Sequence, residues 1–367
     1  MTSPASSSPV VRRRLPFGVR LAIFAVVGII VYYTFLVAIQ YLSSPNAPDA
    51  LNNSIKTSAQ QVANALVLGA IYALVALGYT MVYGIIELIN FAHGDVFMVG
   101  AFISLFFLTN APPPLDFLGL HITGTIAEPI VIIVVLIAAF LVAMSIMGLI
   151  NVTIERLAYR PLRHAPRVAP LITAIGVSLI LQNVMQVIVG TGDRKVPEIV
   201  PNAHVGFLGA EIRVISLVIF LVAIGLMVGL QVFVNRTRLG RAMRATAQDQ
   251  QAAQLMGVDL NLTIAMTFLI GGALAGAAGV FQGQYFGFVR FDLGFNAGLK
   301  AFTAAVLGGI GNLTGAAIGG FLIAFIEVFA QSTGQARWSQ AIVFVVLIVV
   351  LVFRPAGILG QQIGERA

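Results

Sequence analysis

Apolar residues recur along this chain in runs of about 20, the length at which an α-helix crosses the hydrocarbon layer of a bilayer. The pattern predicts spans at about 18–42, 62–86, 94–109, 128–150, 169–190, 213–234 and 261–284. Two adjoining stretches rich in small residues follow, at 297–311 and 315–331, and a last span at about 338–353. The expected fold is an all-α polytopic membrane protein with about eight to ten transmembrane helices, in which 297–331 forms either a hairpin or a re-entrant pair of half-helices. Three segments are expected: a disordered basic N-terminal tail over 1–17, a single transmembrane domain over 18–360, and a tail over 361–367.

Composition agrees with the apolar runs. Hydrophobic residues make up 59% of the 367 residues and charged residues only 10%, against about a quarter in a typical soluble domain. Cysteine is absent, which excludes disulfides, zinc–thiolate sites and thiol catalysis. The net charge is +7. A basic balance in a soluble protein points to nucleic acid, but here the basic residues sit in short loops between apolar runs and read as topology signals at an anionic membrane face. At the N-terminus, Arg12, Arg13, Arg14 and Arg20 precede an apolar run. That run is longer than the core of a signal peptide and lacks a clear small-residue cleavage site, so it is read as a retained first helix.

The arginines also set orientation. Arg12, Arg13, Arg14, Arg20, Arg156, Arg160, Arg163, Arg167, Arg236, Arg238, Arg241 and Arg244 fall on one side if each helix up to Val234 crosses once. Arginine excess marks the cytoplasmic side. Opposite them, 43–60 and 110–127 carry one basic residue, Lys56, and in 191–213 Arg194, Lys195 and Arg213 are balanced by Asp193, Glu198 and Glu211. Arg354 and Arg366 place the C-terminus with the N-terminus, so 297–331 crosses twice or not at all.

The segment between the sixth and seventh spans is about 25 residues long, of helix-forming composition without proline. It predicts a cytoplasmic helix at 238–257, stopped by Gly257. Ala242, Ala245, Ala252, Leu255 and Met256 form an apolar side opposite arginines and glutamines, suited either to a partner protein or to lipid headgroups. Glu87, Asn90, His93 and Asp95 lie at the junction of two spans, near the cytoplasmic end on this topology. His93-Gly94-Asp95 reads as a turn and helix cap or as part of a gate. Gly311, Gly315 and Gly319 recur every four residues, as do Gly272 and Gly276, and Ala275, Gly279 and Gly283; such spacing lets helices approach closely. A break at Gly308 to Gly315 is also where half-helix ends face substrate in transporters. Lys300 and Glu327 lie on the two arms of the hairpin with opposite charge. A phosphate-binding loop of the P-loop type is absent, and none of Lys56, Lys195 and Lys300 sits in such a setting.

Several strings carry a resemblance. The segment 251–257, QAAQLMG, resembles the EAA loop by which permeases of ABC importers dock on their ATPase, with Gln251 in place of Glu. GRAMRA at 240–245, NALVLGAIYALVALGYTMVYG at 64–84, INFAHGD at 89–95, AVLGGIGNLTGAAIGG at 305–320 and FRPAGILG at 353–360 resemble branched-chain amino-acid permeases of the LivH type. Urea-type permeases share these strings. The similarity runs from about 58 to 360. It implies a multi-pass protein of the bacterial cytoplasmic membrane with both termini cytoplasmic. The partners implied are a second homologous permease subunit, two ATPase subunits that hold ATP and Mg, and an external solute-binding protein; no cofactor or metal is expected on this chain, and no nucleic acid. The ATPase-coupling residues implied are Arg238, Gly240, Arg241, Arg244, Ala252, Ala253, Leu255, Met256 and Gly257. The pathway or gate candidates are Asn90, His93, Asp95, Gly308, Gly311 and Gly315. The rival readings are a urea or short-amide permease and a stand-alone secondary transporter, which would need mid-membrane carboxylates for coupling ions, and few are present.

Overall fold

The computed structural model describes residues 17–43, 50–109, 129–163, 165–166, 168–200, 203–207 and 210–360. The expected disordered tail, apart from Phe17, and the C-terminal tail at 361–367 lie outside the described residues. Helices α1 (Phe17–Ser43), α2 (Ala50–Ile86) and α3 (His93–Thr109) open the chain. Helix α4 (Pro129–Ile154) winds on through a π turn and a 3-10 turn to Leu162, and α5 (Val168–Val189) and α6 (Val214–Arg236) follow. Two short helices, α7 (Arg238–Gln248) and α8 (Gln250–Leu255), lead into α9 (Leu260–Phe286). Helices α10 (Leu293–Gly308), α11 (Leu313–Ser332) and α12 (Ser339–Phe353) complete the bundle.

Among the described residues, seven helical stretches are long and apolar enough to cross a membrane, and Val27–Leu42 and His93–Thr109 form two shorter apolar helices. The molecule is therefore an all-α polytopic membrane protein with minor β structure. The predicted spans fall on observed helices, with one difference in length. Helix α2 starts at Ala50 rather than near 62, because a helix continues through polar residues such as Asn53 and Gln60 where hydropathy loses it.

Position in the bundle follows residue size. Helix α2 is central, with 94% of its most apolar window buried, against 22% for α5 and 11% for the window of α12. Lipid offers apolar side chains as good a solvent as protein does, so helices associate where small residues let backbones meet. Gly320 of α11 lies against Ala73 of α2. On α9, Gly272 abuts Met147 and Asn151 of α4, and Gly279 abuts Phe97 and Ala101 of α3. The glycine and alanine series read from the sequence are thus the surfaces on which α9 packs.

The two ends of the bundle differ. At one end, β1 (Arg194–Lys195) pairs antiparallel with β4 (Phe288–Val289), and β2 (His204–Phe207) with β3 (Ala210–Arg213). The other end gathers the close of α2, the α10–α11 turn, the C-terminal segment and α7–α8. There Gly84 meets Gly311, Ile358 N donates to Leu307 O at 2.9 Å, Leu359 N donates to Gly308 O at 3.1 Å, and Gln250 Nε2 donates to Ile85 O at 2.8 Å.

Helices α10 and α11 run antiparallel around a turn at 309–312. Gly308 and Gly315 touch backbone to backbone, as do Ala304 and Gly319 one turn further from the loop. Gly309 and Gly311 have φ of +103° and +90°, which side chains rarely tolerate. Gly311 has open space where a Cβ would stand. The expectation that it serves close packing is corrected: its role is conformational, and Gly308, Gly315 and Gly319 make the packed surface.

Candidate functional site

Helix α7 begins where α6 ends, and the reversal depends on Thr237 and Gly240. The Thr237 side chain caps α7 by accepting from Gly240 N at 3.0 Å. A Cβ on Gly240 would run into the carbonyls of Phe233 and Val234, so glycine is required for α7 to fold back on α6. Arg244 locks the corner by donating to Val234 O. Gly240, Met243 and Thr246 face the bundle, and Arg238, Arg241 and Arg244 face outward.

The expected single helix over 238–257 is two helices. Asp249 takes an extended backbone, φ −157° and ψ 111°, and its carboxylate accepts from Gln251 N at 2.9 Å and Ala252 N at 3.0 Å. Its short acceptor satisfies amides at a helix start better than it suits a helix interior. Gly257, at φ +83°, ends α8, and Asp259 caps α9 by accepting from Leu262 N at 3.1 Å.

This break re-aims the side chains. Leu255 is 89% exposed and Met256 84% exposed, and Ala252 is exposed beside them. Ala253 is 4% exposed and turned into the protein, which corrects its expected place on the partner-facing side. Two large apolar side chains at the tip of a basic, well-anchored platform form a compact knob. Its tethers lead to three helices: Arg244 to the end of α6, Gln250 to the end of α2, and Gly257 to Asp259 into the start of α9.

The second candidate region joins α2 to α3. Glu87 holds a left-handed backbone, φ +52°. Asn90, His93 and Asp95 are buried. The His93 imidazole lies against Gly78 and meets the Tyr79 ring edge to face at 4.8 Å. Gly78 precedes the end of α2 by about 12 Å of helix rise. Asp95 is not a cap: it stands in the first turn of α3 and accepts across the interface from Ser178 Oγ and, at 3.0 Å, from Gln182 Nε2, both on α5. The Asn90 Oδ1 accepts from Tyr159 OH at 3.1 Å. Asn90 Nδ2 and both His93 ring nitrogens have no hydrogen-bond partner among the described residues. Asn90, Tyr79, Tyr83 and Phe302 border a cavity of about 10 Å³, room for one water-sized group.

The starts of α3 and α10 meet here. Gly94 packs on Gly294 and Gly298, and Gly294 also abuts Asp95. The structure therefore brings His93 and Asp95 to the start of α10, away from Gly308 at its other end, Gly311 in the turn that follows and Gly315 on α11. Sequence reading missed Ser178, Tyr159 and Tyr72. No local signal reveals them, since Ser178 lies 83 residues from Asp95 and Tyr72 lies 255 from Glu327.

Residues 61–351 match the family described as branched-chain amino acid transport system, permease component. The chain is 42% identical over 311 residues to the high-affinity branched-chain amino acid transport system permease protein BraD of Pseudomonas aeruginosa, covering 84% of this chain and 97% of that protein. It is 40% identical to the corresponding LivH of Escherichia coli K12 over the same shares. It is 28% identical to a probable LivH of Methanocaldococcus jannaschii, covering 81% of this chain and 90% of that protein. No solved structure matches. The extent of these similarities, over the same helices that form the bundle and its α7–α8 platform, shows that the chain belongs to the branched-chain amino acid permease family.

Proposed function

We propose that this chain is the membrane-spanning permease subunit of an ABC importer for branched-chain amino acids, driven by ATPase subunits that are separate polypeptides. Two close relatives bear that transport function in their names, and the family match covers most of the chain. The observation that carries the coupling part of the reading is the exposed Leu255–Met256 knob on a platform tied to α2, α6 and α9. A groove in an ATPase that receives this knob and shifts on ATP binding moves those three helix ends together. ATP and Mg belong to the partner subunits. A second, homologous permease subunit completes the pathway, and an external solute-binding protein delivers the amino acid.

The α7–α8 end is the cytoplasmic end in this reading, because Arg156, Arg160, Arg163, Arg236, Arg238, Arg241, Arg244 and Arg354 cluster toward it. Both termini are then cytoplasmic. The crossing of α10 and α11 as a hairpin gives ten spans, and two facts support it. The 309–312 turn lies beside Gly84 at the end of α2, and the Ile358–Leu359 segment returns to the same turn. The test is ATP-driven uptake by the reconstituted complex in proteoliposomes, with labelled leucine compared with labelled urea. Leucine uptake with no urea uptake supports the reading; urea uptake alone overturns its substrate, and no ATP dependence overturns its class.

A further inference from the structure

The end of α4 runs into a π turn, Glu155–Tyr159, before the chain leaves for α5. Single π turns are rare and occur frequently at functional sites. This one holds two polar side chains inside the protein, Glu155 and Tyr159, both buried. Arg163 folds back to donate to Glu155 through Nη2, and its Nη1 donates to Asn261 Oδ1 at 2.8 Å. Asn261 stands in the first turn of α9, two residues after the Asp259 cap. One guanidinium thus joins the start of α9 to the π turn of α4. From the same turn, Tyr159 OH donates to Asn90 Oδ1 at 3.1 Å. Asn90 O accepts in turn from His93 N at 3.1 Å, so Asn90 sets the entry into α3. The knob's own connection to α9 is also short. Val258 N donates to Ala253 O at 3.0 Å, which makes the chain after Leu255 and Met256 a closed turn and not a loose loop.

We infer that Arg163 and Tyr159 are positioning residues for transport, which pass a displacement of the α7–α8 platform through the first turn of α9 and the π turn of α4 to the α2–α3 junction. The inference rests on the docking role proposed for the knob and adds the route by which its motion enters the bundle. Packing of α4 on α9 does not depend on this bridge. Deeper in the bundle, Asn151 Nδ2 donates to Phe268 O at 2.6 Å, and Gly272 abuts Met147 and Asn151. The Arg163 bridge lies outside that surface, on an exposed Asn261. Arginine suits the place because its planar fork offers several donors in fixed directions and so holds two acceptors in one geometry. Beyond Asn90 the route continues to α5, since the first turn of α3 carries Asp95, which accepts from Ser178 and Gln182.

The test uses mild variants at the two ends of the link, in the intact complex in proteoliposomes with the binding protein present. Asn261→Ala removes an exposed amide and leaves the Glu155–Arg163 pair in place. Tyr159→Phe removes one hydroxyl and keeps the ring. Each is expected to lower leucine taken up per ATP hydrolysed about fivefold, with membrane yield unchanged and with a cysteine in place of Leu255 still captured by an ATPase subunit. The double variant is expected to be no worse than either single one, because both cut the same link. Asn261→Asp, which keeps an acceptor at the same reach, is expected to restore most of the ratio. Wild-type uptake per ATP in both single variants overturns the inference. Loss of folded chain with an unchanged ratio also overturns it, since the contacts are then a brace only, and so do losses that multiply in the double variant. If the position-255 cysteine captures no ATPase subunit even in the otherwise unsubstituted chain, the docking role falls and this inference with it. Capture there, with an unchanged ratio in the variants, overturns this inference alone.

Discussion

Lys300 Nζ lies 2.6 Å from Glu327 Oε1, and the pair bridges α10 and α11 with both side chains largely buried. Tyr72 OH donates to Glu327 Oε2 at 2.9 Å, and Gln331 Nε2 donates to Oε1 at 3.3 Å. Two charges in a lipid-embedded bundle are tolerated because each satisfies the other and the spare lone pairs are taken up. The pair fixes the hairpin to itself and, through Tyr72, to the central helix.

Lys300→Met therefore leaves Glu327 buried without its countercharge. Breaking such a pair costs about 3–5 kcal/mol, while replacing both partners by apolar residues restores much of the loss. Unfolding of the detergent-solubilised chain is expected to show a large loss for Lys300→Met and a smaller one for Lys300→Met with Glu327→Leu. Equal losses in the two variants would show that the pair is not buried as a unit.

The two glycines of the hairpin are expected to separate by mechanism. Gly315→Leu drives a side chain into the Gly308 backbone and is expected to abolish assembly of the permease in the membrane. Gly311→Ala meets open space but must hold φ +90°, a cost of about 1–2 kcal/mol, so it is expected to assemble with lowered stability. Membrane yield and thermal stability of the two variants check this; normal stability of Gly315→Leu contradicts it.

The spans were legible because length and apolarity alone decide what lies in lipid. The Lys300–Glu327 pair was legible as a possibility from charge sign on two predicted arms, and Tyr72 was not, since nothing local links it to a residue 255 positions away. The platform was legible as helical. Ala252, Leu255 and Met256 are exposed as expected while Ala253 turns into the protein, because composition does not reveal on which side of a short helix the protein lies. His93 and Asp95 were legible as a polar cluster at a helix start, but their neighbours were not: hydropathy does not show that His93 lies against Gly78 of α2 or that Asp95 accepts from Ser178, 83 residues away.

The purified chain is expected to hydrolyse no ATP. It has no P-loop, and its three lysines, Lys56, Lys195 and Lys300, lie outside any such setting. Phosphate release by the chain alone, at rates above a detergent blank, contradicts this.

Leu255→Glu and Met256→Glu place charge at exposed positions and are expected to leave the chain folded while reducing ATP-driven uptake at least tenfold. Ala253→Glu buries a carboxylate against the bundle and is expected to lower the amount of folded chain instead. Measuring membrane yield and uptake per folded chain for the three variants distinguishes the two effects. Full uptake by both knob variants contradicts a docking role.

The coupling claim is tested most directly by crosslinking in vesicles that take up leucine on ATP. The chain has no native cysteine, so single cysteines at 255 and 253 report cleanly. A cysteine in place of Leu255 is expected to capture an ATPase subunit in high yield, and one in place of Ala253 to capture none. Failure of the position-255 cysteine to reach any ATPase subunit, in vesicles whose uptake still runs on ATP, would contradict the account.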